Sequence, residues 1–302
     1  MGDIIRIGTR GSPLALVQAN MVKDQLAAAH GLAGEIVIIK TTGDVVQDRA
    51  LAEIGGKALW TKELDRALLA GEIDCAVHSM KDVETIRPDA IVIAAMLPRA
   101  DVRDRLIGAD SIAALPANAV VGTSSPRRAA QLRRLRPDVK PVLFRGNVDT
   151  RLAKLAAGEV DATLLAAAGL DRLGRTDIGT AIESDVMLPA PAQGAVGIES
   201  RTDDARVRGW LTTIDDGVTH RCVLLERALL AALSADCHSP VAALAREENG
   251  RVTLRAELLA EDGSEHVAGI GSGAVDDFGV AEALAADLLT RAPPAVRRLF
   301  AA

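Results

Sequence analysis

Apolar and polar positions alternate in two rhythms along the chain, and the switch between them recurs. Residues 3–31, DIIRIGTRGSPLALVQANMVKDQLAAAHG, pass from an apolar strand through a polar turn into a helix. Ser12 suits the N-cap, Pro13 the first helical position, and His30 with Gly31 the stop. The grammar returns in AVVGTSSPRRAAQLRRL (119–135), with a strand Ala119 to Gly122, Ser125 as cap, Pro126 first in the helix, and Ala129, Leu132 and Leu135 on one side. A second echo links KELDRALLAGEIDCAV (62–77) with TRLAKLAAGEVDATLL (150–165). Each reads as a helix stopped by glycine, Gly71 or Gly158, before a short buried strand. Ordinary α/β alternation can also produce such echoes. The stronger reading is two similar α/β lobes, each aiming a helix N-terminus at a shared cleft.

The stretches LPRADVRD (97–104) and MLPAPAQGAVGIES (187–200) are punctuated by proline or glycine and read as two crossings between the lobes. From about residue 219 the pattern changes to a helix, strands separated by ENG and EDG turns, and a last helix. The expected organisation is a first α/β lobe of residues 1–98 and 195–216, a second of 99–194, and a small α+β domain of 217–302.

Composition narrows the function. The 302 residues carry a net charge of -6 and 2% aromatics with no tyrosine, which argues against a nucleic-acid or membrane-surface partner. No apolar run is long enough to span a bilayer, and the N-terminus lacks the order of a signal peptide, so a cytoplasmic location is expected. Cys75, Cys222 and Cys237 are an odd number without zinc-like spacing, leaving at most one thiol with a task. Cys75 lies in an apolar strand and Cys222 on a helix among apolar neighbours, whereas Cys237 falls in a loop before Pro240. No metal site is expected.

Against that acidic background, GTSSPRRAAQLRRLRPD (122–138) holds five arginines. A tight polar turn leading into a helix N-terminus binds anions, because unpaired N–H groups and the helix dipole both point outward there. Thr123, Ser124 and Ser125 add hydroxyl donors. Arg127 and Arg128 in the first turn are unfavourable to the dipole, so a bound anion is the economical explanation for them. Arg133, Arg134 and Arg136, near the other end, read as a solvated face. Arg145, Arg151 and Arg172 recur near strand-to-helix junctions, with Asp149 or Thr150 expected to cap the helix at Arg151, and Arg10 and Ser12 occupy the first-lobe turn. Guanidinium forks in such number suit a ligand with several carboxylates or phosphates. A nucleotide is disfavoured, since GGKALW lacks the phosphate-loop spacing and no GxGxxG follows a strand. In DCAVHSMKDVET, the end of a buried strand delivers His78, Lys81 and Asp82 to a loop.

The blocks GTRGSPLALVQ, GGKALWTKEL, VHSMKDVET, GTSSPRRAAQL, FRGNVDTRLAKL, AAGLDRLG, LPAPAQGAVGIE and ADCHSPVAA, in this order, resemble the porphobilinogen deaminase (hydroxymethylbilane synthase) family from end to end. The resemblance implies two lobes of the type II periplasmic-binding-protein kind, a monomer, and an enzyme that joins four porphobilinogen molecules into hydroxymethylbilane with loss of ammonia. It implies a dipyrromethane cofactor linked by a thioether to Cys237, and Asp82 as catalytic carboxylate. Lys81, Thr123, Ser125, Arg127, Arg128, Arg145, Arg151, Ser12 and Gly194 match cofactor-holding positions. Arg10, Ser12, Arg145, Arg151, Arg172 and Gln193 match positions that receive substrate, and Lys57 and Trp60 belong to the stretch resembling a lid. The chain departs from the family pattern at Trp60, Glu84, Pro126, Ala192 and Asp236. Of two rival classes, a non-catalytic two-lobed binding protein has no use for Cys237 or for Asp82 among cations, and a nucleic-acid binder is weakened by the net charge of -6 and the sparse aromatics.

Overall fold

The computed structural model describes residues 4–41 and 61–300; Lys57 and Trp60 lie outside the described residues. The chain divides into two compact units, Met1–Ala100 with Gly194–His220, and Asp101–Gln193 with Arg221–Ala302.

In the first unit, strands β1 (Ile4–Thr9), β2 (Ala33–Ile38), β3 (Cys75–Ser79), β4 (Ile91–Met96) and β10 (Val196–Arg201) form a sheet in the order β2-β1-β3-β10-β4. β1 runs parallel to β2 and β3, and β10 antiparallel to β3 and β4. Helix α1 (Pro13–His30) starts as expected: Ser12 Oγ accepts the Ala15 N–H and Pro13 stands first. It ends on Gly31 at φ 66°, a left-handed conformation that glycine adopts without a Cβ clash. Val22 and Leu26 of α1 pack with Ile5, Ile7, Val77, Val196 and Ile198. Each such buried aliphatic stabilises by about 1.5–3 kcal/mol over leaving it exposed. Helix α2 (Lys62–Leu69) sends Leu64 and Leu68 into a separate cluster with Ile73 and Ala76.

The second unit repeats the plan. Strands β5 (Asp104–Ile107), β6 (Val120–Gly122), β7 (Lys140–Val142), β8 (Ala162–Ala166) and β9 (Thr180–Ile182) take the order β7-β6-β8-β5-β9. β6 is parallel to β7 and β8, and β5 antiparallel to β8 and β9. Both sheets thus have three parallel strands, an antiparallel fourth, and a fifth antiparallel to that. The antiparallel fourth strand begins at the last residue of the stretch 97–104 in the second unit and within the stretch 187–200 in the first. Helix α3 (Pro126–Leu135) is capped by Ser125, with Pro126 at its start.

The same unit holds a three-stranded antiparallel sheet of β11 (Val241–Glu248), β12 (Arg251–Leu259) and β13 (His266–Ala274). Asn249 (φ 52°) and Gly250 (φ 71°) join β11 to β12 by a two-residue turn with both φ positive, which matches the twist of the paired strands. Leu225 and Leu229, Leu254 and Leu258, and Leu284 and Leu288 share the core beneath this sheet.

Candidate functional site

β3 passes directly into a single 3-10 turn, Met80–Asp82, which carries Lys81 and Asp82 half-buried at the strand's carboxyl end. Two contacts with β10 and the residue before it fix the turn. The Met80 N–H donates to the Ala195 carbonyl at 3.1 Å. The Met80 side chain occupies the space over Gly197, where an added Cβ would stand 2.1 Å from its sulfur. Asp82 then lines a pocket with Arg10, Ser12, Gln18 and Ser79, walled by Leu14, Ala15, Val77 and Val83. Gln18 and Ser79 exchange hydrogen bonds, with Gln18 Nε2 donating to Ser79 Oγ at 2.9 Å. The pocket therefore joins a carboxylate, a guanidinium and a helix N-terminus on partly apolar walls, a setting that strengthens electrostatic interactions with a polar ligand.

His78 also lines this pocket, but from within the strand and not from the loop. Pairing of β3 with β10 continues through Ser79, so His78 stays in the strand and is buried, its Nε2 3.2 Å from Glu199 Oε2. Glu199, fully buried on β10, also takes a two-pronged contact from Arg87, Nε to Oε1 and Nη2 to Oε2, both at 2.8 Å. Arg87 further donates to Asp65 at 2.5 Å and Glu84 at 3.0 Å. Burial alone would raise the Glu199 carboxyl, but His78 and Arg87 outweigh it and bring it down to about 2. The departure at Glu84 is thereby accounted for: its carboxylate is a partner of Arg87 and of the Thr61 hydroxyl.

In the second unit the two arginines of the turn have an internal partner that the sequence reading does not include. Arg127 and Arg128 are 2% and 6% exposed, and the anion between them belongs to the chain. Asp104, at the start of β5, accepts from Arg127 Nη2 at 2.9 Å on Oδ2 and from Arg128 Nη2 at 2.7 Å on Oδ1. Their Nη1 groups donate to the carbonyls of Leu188 and Leu164. Burial would push the Asp104 carboxyl up; the two arginines reverse this and hold it well below the usual carboxylate range. Burial in turn lowers Arg127 from its ordinary value. Gln193 Nε2 also donates to Asp104 Oδ1, at 2.8 Å, and to the Val102 carbonyl at 2.7 Å. Thr123 is buried, and its hydroxyl accepts the Ser125 N–H.

Arg133, Arg134 and Arg136 are partly exposed, and each also has partners within the chain. Arg133 donates to the Glu261 carbonyl, Arg134 pairs with Glu257 at 3.1 Å, and Arg136 ties Asp138 to carbonyls of the 112–116 turn. The helix bearing Arg151, α4 (Val148–Ala156), is capped by Asn147, whose side chain accepts the Thr150 N–H at 2.8 Å; neither Asp149 nor Thr150 takes that place. Arg151 donates to the Gly146 carbonyl and to Ser124 Oγ at 3.1 Å, which brings it to the GTSSP turn. Arg145 is half-buried beyond β7, and burial lowers Arg172 from its ordinary value. Gly194, in the first unit, has φ 86° and accepts the Ala100 N–H.

Of the three thiols, Cys75 and Cys222 are buried and Cys237 is exposed. Burial pushes Cys75 above the ordinary thiol range. Cys237 stands in a tight turn where Asp236 Oδ1 accepts the His238 N–H at 2.8 Å and Ser239 Oγ accepts the Asp236 N–H at 3.1 Å.

These donor sets fit an acid-bearing pyrrole cofactor. The thiol is accessible for a thioether, and among the described residues the buried Nε atoms of Arg127 and Arg128 have no hydrogen-bond partner, although their outer nitrogens do. Sequence reasoning missed Asp104, Glu199, Arg87 and Gln18. Gln18, Asp104 and Glu199 lie in stretches already singled out, but their burial, like that of the Arg87 side chain, is revealed only by contacts with residues distant in sequence.

Family profiles and curated relatives agree in one direction. The family profile described as "Porphobilinogen deaminase, dipyromethane cofactor binding domain" matches residues 5–209, and "Porphobilinogen deaminase, C-terminal domain" matches 220–290. A protein of Sphingopyxis alaskensis named porphobilinogen deaminase is 60% identical over 98% of this chain and 96% of its own length. One of Paracoccus denitrificans with the same name is 54% identical over 96% and 95%. Among solved structures, a TRAP periplasmic solute binding protein of Desulfovibrio salexigens aligns with 71% of this chain and 73% of its own at a TM-score of 0.43 and 11% identity. Matches of this extent place the chain in the porphobilinogen deaminase family, with the dipyrromethane cofactor binding domain at residues 5–209.

Proposed function

We propose that the chain joins four porphobilinogen molecules head to tail into hydroxymethylbilane, releasing one ammonia at each step, on a dipyrromethane primer held through a thioether at Cys237. The primer, when bound, supplies the free α-carbon from which the chain grows. Asp82 is the catalytic carboxylate. As ammonia leaves the incoming pyrrole, positive charge develops on the ring, and a fixed carboxylate near the pyrrole N–H stabilises it and receives or returns a proton.

Around it, Arg10 and Ser12 take an acid arm of the substrate, using a guanidinium fork and the open end of α1. Arg145, Arg151, Arg172 and Gln193 serve substrate or primer acids, and Lys81, Thr123, Ser125, Arg127, Arg128 and the backbone at Gly194 hold the primer. Asp104 keeps the two neighbouring arginines charged and oriented. Lys57 and Trp60 belong to a lid, and the enzyme works as a cytoplasmic monomer. No helix among the described residues is long and apolar enough to cross a membrane.

The observation that carries this reading is that Asp82 lines one pocket with Arg10 and Ser12 at the carboxyl end of β3. Intact mass of active protein tests it. An added mass of two pyrrole units that maps to the Cys237 peptide is expected; full activity from unmodified chains would exclude the mechanism.

A further inference from the structure

The segment from Met80 to Arg87 leaves the sheet at the end of β3, carries Asp82, and is tied down again five residues later. At its near end, Met80 lies over Gly197 of β10. At its far end, Arg87 grips Glu199 of the same strand through two parallel hydrogen bonds, while Asp65, Glu84 and Thr61 accept from its remaining N–H groups. Gly197 and Glu199 are two residues apart in β10, so they face the same side of the sheet. Both ends of the Asp82 segment are therefore referred to one face of one strand.

Stability alone is a poor reason for such a cluster. Replacing a buried ion pair by apolar residues of similar volume is often neutral or stabilising, because desolvation offsets the Coulombic gain. A planar fork on a carboxylate does supply direction, which an aliphatic contact does not.

We infer that Arg87 and Glu199 are positioning residues for Asp82: by anchoring the far end of the Met80–Arg87 segment on β10, they set where the Asp82 carboxylate stands in its pocket. This rests on the reading of Asp82 as the catalytic carboxylate.

The test is a double-mutant cycle on holoenzyme with porphobilinogen as substrate, comparing the unsubstituted chain, Asp82→Asn, Arg87→Met and the two combined. Arg87→Met is expected to lower kcat about tenfold or more, since a displacement near 1 Å can cost about a hundredfold. KM should stay within about threefold, the sign that a transition-state interaction was lost rather than uniform binding. In the Asp82→Asn background the same substitution should change kcat by less than about twofold, because the group it positions is gone. Arg87→Lys and Glu199→Gln, which keep the volume of the cluster, carry the same cycle if Arg87→Met does not fold. Equal losses in both backgrounds, or a normal kcat for the Arg87 variants, overturn the positioning role alone. A near-normal kcat for Asp82→Asn overturns the Asp82 reading and this inference with it.

Discussion

The backbone N–H of Ala192 donates at 2.5 Å to Oε2 of Glu226, a carboxylate with no exposed surface. The other oxygen, Oε1, accepts the Ala245 N–H of β11 at 2.7 Å, so one side chain joins the stretch before Gln193 to the C-terminal sheet. Ala192 itself has φ 61°, where alanine is strained. Ala192→Gly relieves about 1–2 kcal/mol of that strain but loses a buried methyl and gains unfolded-state entropy, each costing about 0.5–1 kcal/mol. These terms nearly cancel, and the variant should unfold within about 1 kcal/mol of the parent. Glu226→Gln is a different case. Its amide can accept from only one of the two N–H groups and turns a donor toward the other, so a loss of about 2–3 kcal/mol is expected in denaturant unfolding.

Asp104 offers a second stability test. Asp104→Asn leaves two buried guanidinium groups without their carboxylate, and breaking a buried pair in this way costs about 3–5 kcal/mol. At about 2–4 °C per kcal/mol, Tm should fall by roughly ten degrees. Adding Arg127→Met to Asp104→Asn removes one of the stranded charges and should recover part of the loss; thermal unfolding of the two variants side by side decides this.

The same carboxylates set the acid limit. In the unfolded chain Glu and Asp titrate near about 4.3 and 3.9. In the folded chain Glu199 is brought down to about 2 by His78 and Arg87 against the opposing effect of burial, and Asp104 is held lower than an ordinary aspartate by its arginines. Below about pH 5 the unfolded state therefore binds more protons than the native one, so stability fully present above that pH is lost progressively toward the folded values. Tm measured from pH 7 to pH 3 should hold steady and then fall. Glu199→Gln and Asp104→Asn should each start lower at neutral pH and show a shallower acid slope.

What the chain states locally, it states clearly. Ser12–Pro13 and Ser125–Pro126 both start helices, and Gly71 and Gly158 both adopt positive φ, 69° and 76°, before buried strands. Capping and left-handed stops depend on residues a few positions apart, which a linear reading can see. The buried charges are a different matter. Asp104 meets its arginines across 23 and 24 positions and Arg87 meets Glu199 across 112, and each of these residues has the same local context as a surface one. Arg127 and Arg128 were thus legible as a charged turn, whereas the internal carboxylate that they share was not. Asn147 was missed as a cap for a local reason: Asp149 and Thr150 just after it are equally good capping types.

Thiol chemistry gives the last expectation. Cys75 has no exposed surface and its thiol is pushed above the ordinary range by burial, while Cys222 is 4% exposed. Only thiolate reacts with alkylating reagents, and only where the reagent can reach it. Native protein freed of its primer should therefore take up one iodoacetamide, mapped to Cys237, and three after unfolding. Native holoenzyme should take up none, and two after unfolding, because a thioether sulfur cannot be alkylated under conditions that modify thiols. A Cys237 that reacts equally in the active holoenzyme would place the primer elsewhere, and prompt labelling of Cys75 in the native state would contradict the buried position of β3.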